Sequence, residues 1–188
     1  TPLQTFCTFL VYTGCWVSEA CAVPVSAIDF RQQTVRLSPW VTAQGATVRA
    51  LPLPPAFLDT VIQTHHLRVS PQRARLRDES LLWPWSRMTA WRRVKQAMHT
   101  AGLSGPQATA RGIRHGFGVA AVRAGIPLDV LQKWMGHADA TSTVAYLHSD
   151  TRNEPALMAR LWQDLTPSRE ETSKPRPTRH RPVRRAGS

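Results

Sequence analysis

Lysine is almost missing from this chain: of 24 lysine and arginine residues only Lys95, Lys133 and Lys174 are lysines. Acidic residues are scarce too, 12 in 188, which leaves a formal charge of +12 and a pI near 11.3. A field of that sign draws polyanions, so nucleic acid is the first partner to consider and an anionic membrane surface the second. The charge sits almost wholly on guanidinium, whose planar fork meets phosphate oxygens two at a time. GC-rich coding produces the same skew, so the arginine preference carries little weight by itself.

Other absences narrow the field further. No run of about 18 apolar residues occurs, which excludes a membrane-spanning helix. The opening TPLQTFCTFLVYTG has neither a basic start nor a cleavage pattern, so it does not read as a signal peptide. A chain starting at Thr1 reads as part of something longer. The three cysteines, Cys7, Cys15 and Cys21, are odd in number, crowd one end and lack paired zinc spacing. They read as buried thiols of a cytoplasmic protein. Asp29, Asp59, Asp78 and Glu79 make no carboxylate cluster of the kind catalytic metals require, and neither metal nor cofactor is expected.

What is present has helical and strand periodicities in one order. Leu3, Phe6, Phe9 and Leu10 predict a helix that stops at Thr13-Gly14, and Ser18 is expected to cap a second, short one. AIDF, TVRL and VRALPL, between residues 27 and 53, predict a small antiparallel sheet. Pro54-Pro55 restarts a helix to about His66, whose His65-His66 end is expected to face solvent, and SPQRARLRDES reads as a loop. Ser86 caps a helix ending at Gly102; its stripe of Met88, Trp91, Val94, the Lys95 stem and Met98 is expected to face the core, leaving Arg87, Arg92 and Arg93 outward. Further helices are predicted over 113–124, 128–135, 141–147 and 153–164. The expected class is α+β, mainly α, as one domain over 1–165. Residues 166–188, rich in proline and arginine, read as a disordered basic tail.

The informative segment is RGIRHGFGVAAVRAGIPLDVLQKWMGHADATSTVAYLHSD, residues 111–150. Arg111 stands three places before Arg114, His137 ends a methionine-glycine-histidine turn, and Tyr146 follows nine residues later. A tyrosine hydroxyl, with a reference pKa of about 10, needs cations and a fixed phosphate to act as a nucleophile. A guanidinium fork and an imidazole N–H are suitable donors for charge growing on nonbridging oxygens.

This segment resembles the catalytic domain of the tyrosine recombinases, the phage integrase family. The resemblance implies that Tyr146 attacks DNA to form a 3′-phosphotyrosyl bond, with Arg114, His137 and Arg111 around the phosphate. It also implies double-stranded DNA as partner, self-association on DNA with tetramers in active relatives, a location at the bacterial nucleoid, and neither ATP nor metal. Arg87, Arg92, Arg93 and Lys133 are expected at phosphates. The separate N-terminal core-binding domain of relatives is not within these residues.

Two positions depart from the pattern. TGCWVSEACAV resembles the family's box of threonine-glycine, arginine and glutamate; Glu19 matches, but Trp16 stands where the arginine belongs. Aligning VTAQGATVRALPL with the family's hairpin puts Gln44 in place of the lysine that protonates the leaving oxygen. Arg49 or Arg36 approaches that place in sequence, yet a guanidinium is a reluctant acid. The alternatives are therefore a cleaving recombinase, a degenerate DNA-binding relative that no longer cuts, and a type IB topoisomerase-like relaxing activity.

Overall fold

A computed structural model describes residues 1–39, 48–67 and 79–136. All of these fall in the first of two compact units, Thr1–Thr151 and Arg152–Ser188. Gln44, His137 and Tyr146 lie outside the described residues, as do most of the loop expected at 70–80, the helices expected at 141–147 and 153–164, and the basic tail.

Helix α1 (Pro2–Thr13) starts where the Thr1 side chain accepts the Gln4 N–H and ends at Gly14, whose N–H bonds the Leu10 carbonyl at 2.9 Å. Phe6, Phe9 and Leu10 bury one face, as the spacing predicts. Helix α2 (Val17–Cys21) follows, but Ser18 does not cap it. Trp16 is its N-cap, and Glu19 Oε2 accepts the Trp16 N–H at 2.8 Å while Ser18 is buried inside the helix. A carboxylate three residues into the helix satisfies that donor better than a hydroxyl already inside it.

Strands β1 (Ile28–Asp29), β2 (Thr34–Leu37) and β3 (Arg49–Pro52) form an antiparallel sheet in sequence order. Val35 lies opposite both Ile28 and Leu51, and Leu37 opposite Arg49. The turn between β1 and β2 is held by Asp29 Oδ1, which accepts from Arg31 and Gln32 N–H. Period-two alternation buries Val35, Leu37, Arg49 and Leu51 and turns Arg36 and Ala50 outward.

Helices α3 (Pro55–Thr64), α4 (Arg87–Thr100), α5 (Ala110–Arg123) and α6 (Leu128–Met135) complete the described part. α6 has the bounds read from the sequence, with Gly136 in the left-handed region closing it. α5 begins three residues earlier than expected, because Thr109 accepts the Gly112 N–H and caps it. The main core joins Phe6, Phe9, Trp83, Leu51, Val61 and Val94, with Phe6 and Phe9 each about one ring diameter from Trp83, at 5.3 and 5.0 Å between centroids. A smaller core of Ala121, Leu131 and Met135 ties α6 to α5.

Two expectations about side chains are corrected. On α4 the buried residues are Ala90 and Val94, whereas Met88, Trp91 and Lys95 are exposed. Val94 is buried and Met98 packs against the core as expected, but Ala90 takes the inward place expected of the larger Met88 and Trp91. Of the His65-His66 pair, His66 is exposed as expected, whereas His65 is half-buried: it packs edge-to-face with Trp83 and bonds Thr5, and burial is the chief cause that lowers its pKa. Among the described residues no helix is long and apolar enough to cross a membrane.

Candidate functional site

Two buried arginines, sixty-five residues apart in sequence, grip neighbouring carbonyls in the last turn of α6. On α5 the buried face consists of Ala110, Arg114, Gly118 and Ala121, so one long cation stands among small residues that let other backbone come near. Arg114 Nη1 donates to the Gly14 carbonyl at 2.7 Å and Nη2 to the Met135 carbonyl at 2.8 Å. Both acceptors lie at helix C-termini, where orphan carbonyls and the helix dipole favour a cation.

Gly14 makes the first of these contacts possible. Its φ of 58° is left-handed, and a Cβ there would overlap the ring of Phe117 on α5. Only glycine brings the end of α1 this close to α5 in this conformation.

Arg49, the first residue of β3, holds the second carbonyl: its Nε donates to Trp134 at 2.7 Å. Its Nη1 and Nη2 donate to the two oxygens of Glu19, at 2.7 and 2.8 Å, in a fully buried two-pronged pair. Gly136 is again left-handed, with φ 64°, and a Cβ on it would crowd the Arg49 guanidinium. The segment just before His137 is thus fixed from two sides. Of the two arginines near the lysine position in sequence, Arg49 is engaged in this buried pair and Arg36 is exposed on the outward side of β2.

Trp16 lies over Arg114, with the guanidinium carbon 4.5 Å from the ring centroid. The residue that stands at the box's arginine position therefore touches Arg114 through its π face. Cys15, fully buried beside Glu19, Arg49 and Arg114, has its pKa pushed up to about 12, mainly by burial. It stays a thiol and supplies no nucleophile.

The other candidates are spread over the surface. Arg111 is exposed one turn before Arg114 on α5, and Lys133 is exposed on α6. Arg87 and Arg92 are exposed on α4, where Arg87, Met88 and Trp91 line a shallow groove. Arg93 is stacked over Trp85 at 4.2 Å. Sequence reasoning missed that Arg49 is the partner of Glu19. The available signal was Glu19 itself, a carboxylate in an apolar helix whose burial demands a cation. Among the described residues no cluster of His, Cys, Asp or Glu is placed to hold a metal.

A helical domain with a three-stranded antiparallel sheet towards its N-terminal part is the fold of recombinase catalytic domains. It matches the crystal structure of XerA recombinase with a TM-score of 0.64 at 18% identity, covering 89% of this chain and 57% of that one. It also matches XerH site-specific recombinase bound to its difH substrate, with a TM-score of 0.62 at 17% identity, over 85% of this chain and 46% of that one.

The family model described as "Phage integrase family" matches residues 1–153, and the chain belongs to that family of tyrosine recombinases. Among curated relatives, tyrosine recombinase XerD of Vibrio vulnificus is 28% identical over 148 residues, 76% of this chain and 47% of that protein. XerD of Corynebacterium glutamicum is 25% identical over 141 residues, 72% of this chain and 44% of that protein. The chain thus spans about half the length of the curated relatives it matches.

Proposed function

We propose that this chain is the strand-cleaving half of a site-specific recombinase acting on double-stranded DNA, with residues 1–165 as its catalytic-type domain and 166–188 as a basic tail. The observation that carries the reading is the buried Arg114, fixed by Gly14 and Met135 one residue from the turn that leads to His137. Tyr146 Oη gives up its proton to water and attacks a backbone phosphorus, a 3′-phosphotyrosyl bond forms as the bond from phosphorus to the 5′ oxygen breaks, and that oxygen takes a proton from water to leave as a hydroxyl. Arg114, Arg111 and His137 face the nonbridging oxygens. The phosphodiester energy is kept in the new bond, so rejoining needs no cofactor. Arg87, Arg92, Arg93 and Lys133 take further phosphates, and copies of the protein associate on DNA in the cytoplasm.

A second reading, a relative that binds duplex DNA without cutting it, is favoured by one observation. The ring of Trp16 occupies the side of Arg114 where the family's box carries a second guanidinium. Both readings require DNA contact dominated by phosphates, and that contact releases counterions. Raising salt from about 50 to 200 mM is expected to weaken duplex binding by ~10³-fold or more, given six or more neutralised phosphates. Fluorescence anisotropy with a labelled duplex measures it, and a change below about tenfold contradicts the proposal.

A further inference from the structure

The in-plane donors of Arg114 are pinned by the Gly14 and Met135 carbonyls, which leaves out-of-plane tilting as the softest motion of the guanidinium. An aromatic ring beneath the guanidinium resists that motion, and the Trp16 ring centroid lies 4.5 Å from the guanidinium carbon. Trp16 is itself held, although the residue is 47% exposed. Its backbone N–H donates to Glu19 Oε2, and that carboxylate is clamped by Arg49. The chain of contacts therefore runs from a buried ion pair, through the α2 N-cap, to the indole and on to Arg114.

An arginine at position 16 acts differently. Two guanidiniums this close repel unless an anion lies between them, so such a pair reaches its working arrangement only with phosphate bound. The indole has no charge and needs no anion. We propose that Trp16 is a positioning residue that orders the Arg114 guanidinium before DNA arrives, an inference that rests on reading Arg114 as a phosphate ligand.

Trp16→Leu removes the π face at similar apolar bulk, and Trp16→Phe keeps one. Duplex affinity of the full chain is expected to fall by about 2- to 30-fold in Trp16→Leu and to stay within about twofold in Trp16→Phe. In the free protein, nitrogen-15 NMR of the Arg114 side chain is expected to show an upfield ring-current shift that survives in Trp16→Phe and disappears in Trp16→Leu. A Leu variant that binds like the parent, or a Phe variant that falls as far as Leu, overturns the proposal. Arg114→Ala run alongside separates the two failures. If that variant binds DNA like the parent, the phosphate reading itself fails; an Arg114 signal unmoved in Trp16→Leu then overturns the ordering role as well.

Discussion

Arg114→Ala is expected to damage both the fold and the chemistry, and by amounts that can be told apart. The substitution strips the Gly14 and Met135 carbonyls of charge-assisted donors inside the protein. A buried acceptor left without its partner costs about 1–3 kcal/mol, so a loss of ~2–6 kcal/mol in unfolding free energy follows from the two. Removing one fixed donor from a transition-state oxyanion lowers rate by ~10²–10³. Arg114→Lys keeps the charge but has no planar fork, and it can serve one carbonyl well and not both. It is expected to recover part of the stability and little of the cleavage. Urea denaturation and cleavage rates on the same preparations give the two numbers, and an Arg114→Ala protein as stable as the parent refutes the anchoring role.

Glu19→Ala is expected to cost stability on a similar scale. It leaves the Arg49 guanidinium buried without its anion and takes the acceptor from the Trp16 N–H. Breaking one side of a buried pair costs about 3–5 kcal/mol, a large share of the 5–15 kcal/mol that holds a typical domain together. Replacing both partners, with Glu19→Leu and Arg49→Met together, removes the uncompensated charge and is expected to cost less than Glu19→Ala alone. The remaining deficit reflects the Trp134 carbonyl, which loses Arg49 Nε. Unfolding free energies of Glu19→Leu, Arg49→Met and the double variant form a thermodynamic cycle, and purely additive losses contradict a directly coupled pair.

The sequence made some of this legible because the determinants are local. α6 could be bounded at both ends, since Pro127 before it and left-handed Gly136 after it are short-range stop signals. The sheet followed from period-two runs in the same way. The face of α4 followed only at Val94 and Met98. Met88 and Trp91 outweigh Ala90 in apolar size, yet the space against α2 and α5 accepts the small residue and leaves the large ones outside. The cap of α2 was misplaced because a serine is the usual capping residue, while here Glu19 reaches back to the Trp16 N–H.

The site divides along the same line. Arg114, His137 and Tyr146 are candidates by spacing within forty residues, and of the three only Arg114 lies among the described residues. What holds Arg114 was not visible, since its acceptors are main-chain carbonyls and no side-chain pattern announces them. The Glu19–Arg49 pair joins a helix to a strand across thirty residues, and only the fold brings them together. Trp16 read as a plain loss of charge. Its position over Arg114 turns that loss into a different interaction with the same neighbour.

The most direct test of the account is covalent capture. The full chain selects its preferred sequence from a pool of randomised duplexes, and that sequence is rebuilt with a nick beside the scissile phosphate so that the cleaved end diffuses away. The account predicts a detergent-resistant protein–DNA adduct that accumulates slowly, because one clamp is missing, and is abolished by Tyr146→Phe. No adduct on the selected duplex, or an adduct that persists in Tyr146→Phe, contradicts cleavage by Tyr146; in the first case duplex binding without capture identifies the protein as a relative that holds DNA and leaves it intact.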